Sequence, residues 1–367
     1  MISEERQLQW LWLAQVLGPG AAHSAQVLAL YFHPAELLEA VGKEDMSGLL
    51  SPAQQRRLEQ CTPQDFSTLL HRCERLGVRV LTMEEEDYPQ RLALLPDAPP
   101  VLYCTGDVQA LNQPAAVAMI GSRRPSSYGV EAAACIGRDL AAAGVCLVSG
   151  LADGLDSEAH KAAVQQKSPT IGVLGTAIDK IYPASNRLLR RQMENTCGAV
   201  ISEYEPGKTT NAGCFLQRNR LIAGLSDAIC VVEAREKSGT MNTVEHAISY
   251  KRPVYAVPGA IFSPLCGGTN RLLDEGIAHA ASSAAAILKG LGLKQSVHQT
   301  AERTPSKTTA LSPAAAAMQN VLSERAQGLE TLANAAGLDA GQALAALLEL
   351  EVDGLAVCCA AGQYRSR

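Results

Sequence analysis

Aromatic side chains are scarce here: Phe, Trp and Tyr together make 4% of 367 residues. Stacking of ligand rings on Phe215 or Tyr182 is therefore at most a secondary contribution. Long apolar runs are also missing. No stretch approaches the ~18 residues of a membrane span, and the start, Met1-Ile2-Ser3-Glu4-Glu5, has no basic region leading into an apolar one. A cytoplasmic protein without membrane insertion is expected. The eleven cysteines are odd in number and show neither CxxC nor CxxxC spacing. That excludes a paired-ligand zinc site and suits reduced, buried thiols. A GxGxxG loop is lacking, and no acidic residue closes the strand that follows the first Gly loop. A dinucleotide cofactor is not expected.

Charge is unevenly spread within a net of −5. Residues 1–111 carry −7, residues 112–290 carry +3 and residues 291–367 carry −1. The middle segment is the net-basic one, and distribution governs partner choice more than the sum does. Residues 1–80 are helical in pattern, with a Gly18-Pro19-Gly20 turn that lacks Lys or Arg and so suits packing. Residues 81–111 read as a connector with turn chemistry and short strands. From 112 to 290, apolar runs (115–120, 145–149, 170–174, 199–202, 228–233 and 254–257) alternate with Gly-containing loops and helical segments. This predicts an α/β, Rossmann-like parallel sheet covered on both faces. Residues 291–312 have linker composition. Residues 313–367 follow the helix, helix, helix, strand order of a winged helix, but the predicted helix after the Gly337-Leu338 turn, 340–350, has no basic residue. Partner binding is favoured there over reading of duplex DNA.

The most informative stretch is Phe215-Leu216-Gln217-Arg218-Asn219-Arg220-Leu221-Ile222-Ala223-Gly224. It predicts a helix with Arg218, Asn219 and Arg220 in its first turn, at the carboxyl edge of the sheet where ligands bind. At ~100° per residue, Arg218 falls on the stripe of Leu221, Ile222 and Leu225, and Arg220 points away. Arg218 then needs an acceptor, a phosphate or a carboxylate, while Arg220 is expected to anchor the helix to neighbouring protein or to a partner.

Other loops at the same edge carry similar chemistry. Gly121-Ser122-Arg123-Arg124 precedes a helix N-terminus and suits either a phosphate or a capped surface turn. Lys237-Ser238-Gly239-Thr240 and Gly267-Gly268-Thr269-Asn270 also open helices as backbone nests. Arg187, Arg190 and Arg191 form a positive stripe at i, i+3, i+4. Asp156 is expected as an N-cap, with His160 one turn on and satisfied locally rather than forming an acid–base pair with it. Five such loops on one edge describe an extended track for an anionic ligand.

These strings together resemble the DNA-processing protein family known as DprA or Smf. The likeness rests on Gly121-Ser122-Arg123, Ser149-Gly150-Leu151-Ala152 with Gly154 and Asp156, Ile181-Tyr182-Pro183, Ile201-Ser202-Glu203-Tyr204, Arg218-Asn219-Arg220 with Gly224-Leu225-Ser226, Lys237-Ser238-Gly239, Val257-Pro258-Gly259 and Gly268-Thr269-Asn270. It implies a homodimer that binds single-stranded DNA, protects incoming strands in natural transformation and helps load the RecA recombinase, with no catalytic reaction and no cofactor. By motif match, DNA contacts fall to Ser122, Arg123 and Arg218, with Ser238 and Gly239 nearby and Arg187 a weaker carry-over. With neighbours, the candidate set is Gly121, Ser122, Arg123, Arg124, Arg187, Arg218, Asn219, Arg220, Lys237, Ser238 and Gly239. Asp153 stands where the family usually has arginine, which removes a phosphate partner unless it pairs with a neighbouring arginine. The rival is a Rossmann-like nucleotide phosphoribohydrolase. Its catalytic glutamate position does not match, since Glu245 is one residue off.

Overall fold

The computed structural model describes residues 2–20, 24–293, 311–323, 325–353, 355–359 and 362–366. Nine strands build the main sheet among the described residues. In chain order they are β1 (Arg79–Thr82), β2 (Val101–Gly106), β3 (Ala116–Ile120), β4 (Cys146–Ser149), β5 (Thr170–Leu174), β6 (Gly198–Ser202), β7 (Ala228–Val231), β8 (Val254–Ala256) and β9 (Ala278–Ala280). Every residue of β3 to β8 is buried, as expected for strands covered by helices on both faces. The spatial order is β1-β2-β6-β5-β4-β3-β7-β8-β9, parallel from β6 to β9, with β1 and β2 antiparallel at one edge. The predicted α/β fold is thus observed, and two of its details change. The strands within 81–111 extend the main sheet, and β9, too short to give an apolar run, closes the far edge.

Strand order reverses between β3 and β7, because the chain runs outward through β4, β5 and β6 and then returns past β3. The helix Ala212–Gly224 makes that return. It begins three residues before the predicted start, capped by Asn211, whose side chain accepts from the Gly213 N–H at 2.9 Å. Arg218, Asn219 and Arg220 therefore lie in its second and third turns rather than its first.

Among the described residues, 4–75 form five α-helices. The first, Glu4–Leu17, buries Leu8, Trp10, Leu11, Trp12, Leu13, Val16 and Leu17 and ends at Gly18 with φ 77°. The turn serves packing, since the Gly20 N–H donates to Glu203 Oε1 at 3.1 Å.

Residues 1–296 and 297–367 are separate compact units. In the second, helices Pro313–Val321, Leu329–Ala336 and Ala340–Val352 pack with the antiparallel strands β10 (Gln327–Gly328), β11 (Ala356–Cys359) and β12 (Gln363–Ser366). Met318, Leu332, Leu347, Leu350 and Tyr364 share its core, giving a winged-helix unit. Most of the expected linker, 294–310, lies outside the described residues.

Asp227 locks the start of the reversal. Its carboxylate accepts from Arg91 Nε and Nη2 at 2.8 and 2.7 Å and from the Ala116 N–H at 2.9 Å, tying the 90–93 helix to β3. Asp227→Ala leaves these donors without their acceptor, and urea denaturation should show a loss of about 2–3 kcal/mol.

Candidate nucleic-acid interface

A cleft of about 320 Å³ opens at the strand-order reversal, bordered by the loops after β3 and β7 and by the Ala212–Gly224 helix. Carboxyl ends of strands at such a reversal are where open α/β sheets bind ligands.

The loop after β3 is held rigidly. Ser122 N–H donates to Glu233 O at 2.8 Å, and Leu155 N–H donates to Ser122 O at 3.2 Å. The buried Glu233 carboxylate accepts from the Ser126 N–H at 2.9 Å and from the Ser126 hydroxyl, while Ser126 Oγ caps the Ser127–Ala142 helix. A Cβ on Gly121 would lie 2.4 Å from Leu155 Cδ1, so this close approach requires glycine. The anchored loop leaves Arg123 and Arg124 exposed. Arg123 lies 5.8 Å from the centroid of Phe215, which in turn lies 5.3 Å from the ring of Tyr182. That cation–π contact orients Arg123 at the mouth of the cleft.

Arg218 is 4% exposed and lines the cleft from below. Its Nη1 donates to Gly150 O at 2.8 Å and to Val173 O, fastening the return helix to the ends of β4 and β5. Desolvation pushes its pKa down to about 10, with Asp156 opposing that shift and Arg123 adding to it. The acceptors required by a buried guanidinium are thus two carbonyls, and Asp156 is its nearby countercharge. Asp156 itself is not an N-cap, as Gly154 takes that position. Its carboxylate instead accepts from the N–H groups of Gly150 and Ala152 at 3.1 and 3.4 Å. Burial holds its pKa above the ordinary value, Arg218 countering.

Arg220 points away from the cleft. It pairs with Glu203 at 2.6 Å and reaches Asp97 at 3.9 Å, all within the protein. Burial alone would lower its pKa, but Glu203 and then Asp97 more than offset this and hold it above the ordinary value. Asn219 donates to Gly239 O at 3.2 Å and to Asn242 Oδ1 at 3.3 Å, so it fastens the loop after β7 to the return helix.

Across the cleft, Ser238 and Gly239 open the Gly239–Ser249 helix, with Lys237 exposed beside them. Ser238 Oγ is buried without a hydrogen-bond partner among the described residues. Arg235, exposed on the cleft lining, was not among the sequence candidates. Its signal was a cation in the loop that leads from a parallel strand to the next helix.

Several expected contributors turn inward. The stripe of three arginines is broken, because Arg190 is buried against Glu194 at 2.9 Å and the carbonyls of Ile178 and Lys180 at 2.9 and 3.0 Å. Arg187 and Arg191 remain exposed. The Gly267 loop is a clamp: Asn270 exchanges two hydrogen bonds of 3.1 Å with Gly259, and Gly268 N–H donates to Ala234 O at 2.8 Å. Among the described residues Asp153 pairs with no arginine, and it accepts from Ser185 Oγ at 2.6 Å. His160 is met across the fold rather than locally: its Nδ1 bonds Thr170 Oγ1 at 2.8 Å, while its buried Nε2 has no partner among the described residues. Thr170 donates to Leu147 O at 2.7 Å, so the His160 Nδ1 is the protonated nitrogen. Among the described residues no group of three or more His, Cys, Asp or Glu could hold a metal ion, and no helix is long and apolar enough to cross a membrane.

Fold and cleft together define a doubly covered parallel-sheet protein with a cation-rimmed switch-point cleft and a separate winged-helix unit. Residues 79–292 match the family described as DNA recombination-mediator protein A, and residues 302–362 match the DprA winged helix domain. The chain belongs to the DprA family of DNA recombination mediators. It is 34% identical to the DNA processing protein DprA of Bacillus subtilis, over 54% of this chain and 67% of that one. The DNA processing protein A of Helicobacter pylori, solved to show its single-stranded DNA binding mode, superposes with a TM-score of 0.53 at 34% identity, covering 58% of this chain and 95% of that one. The Streptococcus pneumoniae DprA structure superposes with a TM-score of 0.63 at 28% identity, covering 78% and 98%.

Arg220→Ala leaves Glu203 uncompensated, and denaturant unfolding should show a loss of about 3–5 kcal/mol. His160 gives a pH signature. Burial, with Arg218 adding to it, pushes its pKa down to about 3 from the ordinary 6.5, so between these values the unfolded chain binds a proton that the folded chain refuses. Stability should fall as pH drops below about 6.5, by up to about 1.4 kcal/mol per pH unit for this one proton. His160→Gln should remove that one-proton slope when urea midpoints are compared between about pH 6.5 and pH 5.

Proposed function

We propose that this protein binds single-stranded DNA along the carboxyl edge of its sheet, protects the strand and helps load the RecA recombinase during natural transformation and recombination. The observation that carries the reading is the placement of Arg123, exposed and held over Phe215 at 5.8 Å, at the mouth of the switch-point cleft. Arg124, Arg235 and Lys237 are exposed on the adjoining loops, and Arg187 on the helix after β5. These cations meet backbone phosphates. Gly121, Ser122, Ser238 and Gly239 let the strand approach the main chain, and Arg218 faces it from the cleft floor. Asn219 and Arg220 act from behind by fixing the helix. The Helicobacter pylori relative, which binds single-stranded DNA, supports the assignment.

The protein acts without catalysis and as a homodimer in this reading. Ile261 and Phe262, 81% and 92% exposed on the loop after β8, are apolar surface that a second copy would cover. A phosphoribohydrolase would need a carboxylate aimed at the sugar, whereas Glu245 is exposed and absent from the cleft lining.

Affinity for single strands should fall steeply between ~50 and ~200 mM salt, and Arg123→Ala should reduce the log–log salt slope by about 0.7 while weakening all sequences alike. Fluorescence anisotropy with labelled oligonucleotides checks both. An affinity that is flat across this range would refute the proposal.

A further inference from the structure

The cleft gathers several hydrogen-bond donors that have no acceptor among the described residues. Gly239 and Thr240 begin a helix of 11 residues, and their N–H groups donate to no acceptor among the described residues. The Ser238 side chain does not cap this helix, and its buried Oγ has no partner. From the opposite wall comes Arg218, 4% exposed; its Nε and Nη1 are engaged, while Nη2 donates to no described acceptor. All four residues line the same cleft. A buried donor without an acceptor costs free energy, and the buried Ser238 Oγ and Arg218 side chain share this cavity with the more accessible N–H groups of Gly239 and Thr240, a set that suits a ligand rich in acceptors.

The two chemistries of phosphate differ here. A phosphodiester within a strand offers two free oxygens and one charge. A phosphomonoester offers three acceptor oxygens and approaches two charges near neutral pH. The helix N-terminus and the buried guanidinium favour the higher charge. The rest of the lining is mixed: Ile120, Phe215 and Leu216 give apolar surface beside the donors, and Ser122, Arg123, Asp156 and Asn219 add polar groups. A volume of about 320 Å³ is at the lower end of small-molecule pockets. An anionic end beside the Phe215 and Leu216 surface fits one nucleotide.

We infer that the switch-point cleft is a site for a nucleotide phosphomonoester, supplied either by a free nucleoside monophosphate or by the 5′-phosphate end of a strand. The inference deepens the single-strand reading above and rests on the same edge of the sheet. Ser238, Gly239, Thr240 and Arg218 bind the phosphate, and Phe215 and Leu216 contact the nucleoside. The exposed cations outside the cleft then guide the rest of a strand.

Calorimetric titration of the full chain with dTMP, thymidine and inorganic phosphate tests the site directly. Anisotropy with 5′-phosphorylated and 5′-hydroxyl oligothymidylates of equal length separates the two sources. The expected results are binding of dTMP but not of thymidine, weaker binding of inorganic phosphate, and a preference of about tenfold for the phosphorylated strand end. Ser238→Ala should bring that preference close to one; since its hydroxyl has no protein partner, the variant should fold normally. Preference for the phosphorylated end without dTMP binding would assign the site to strand ends alone. Inorganic phosphate binding as tightly as dTMP would overturn the nucleotide assignment. Equal affinity for both strand ends together with no dTMP binding would overturn the inference, and the single-strand reading would survive it. Binding of dTMP without binding of oligonucleotides would do the reverse.

Discussion

A buried guanidinium donating to main-chain carbonyls organises this molecule. Arg218 joins Gly150 O and Val173 O, the carboxyl ends of β4 and β5, to the helix that carries the chain back across the sheet. Burying such a charge is costly unless acceptors meet it. The two carbonyls supply fixed dipoles, and Asp156 supplies opposing charge. Close approach is what makes the arrangement possible, since a Cβ on Gly150 would lie 2.7 Å from both Arg218 Nη2 and Asp156 Oδ2. The return helix, the two strand ends and the cleft floor are consequently one construction.

Around it the edge divides into two groups of residues. One group is turned inward and holds geometry: Glu233 on Ser126, Asn219 on Gly239, Arg220 on Glu203, and Asn270 on Gly259. The other is turned outward and keeps its charge available, with Arg123, Arg124, Arg187, Arg235 and Lys237 exposed. A preorganised rim lowers the conformational cost of binding, because the loops do not have to be ordered by the ligand. The Arg123–Phe215 contact illustrates this economically: one aromatic ring orients one cation while both remain at the cleft.

Much of the architecture was legible in the order of apolar runs. Six runs became buried strands because a two-sided parallel strand has no polar face to interrupt it. β9 escaped notice because three residues at an edge, two of them exposed, leave no such signature. Helical angle correctly separated Arg218 from Arg220, since 3.6-residue geometry holds locally. It failed for Arg190, whose stripe-mate Arg187 is exposed while Arg190 is drawn inward by Glu194 and two carbonyls. Gly268-Thr269-Asn270 looked like an anion nest, yet its polar groups are used by Gly259, Ala234 and Cys266.

By itself the sequence determined the class of fold, the alternation of strands and helices, and which loops share the carboxyl edge, because these follow from periodicity and parallel topology. Only the tertiary structure decided which cations are available. Arg218 finds its acceptors 68 and 45 residues away in the chain, and Arg220 finds Glu203 17 residues away. A guanidinium's role is set by the acceptors that folding brings to it, and a linear motif does not contain those distances.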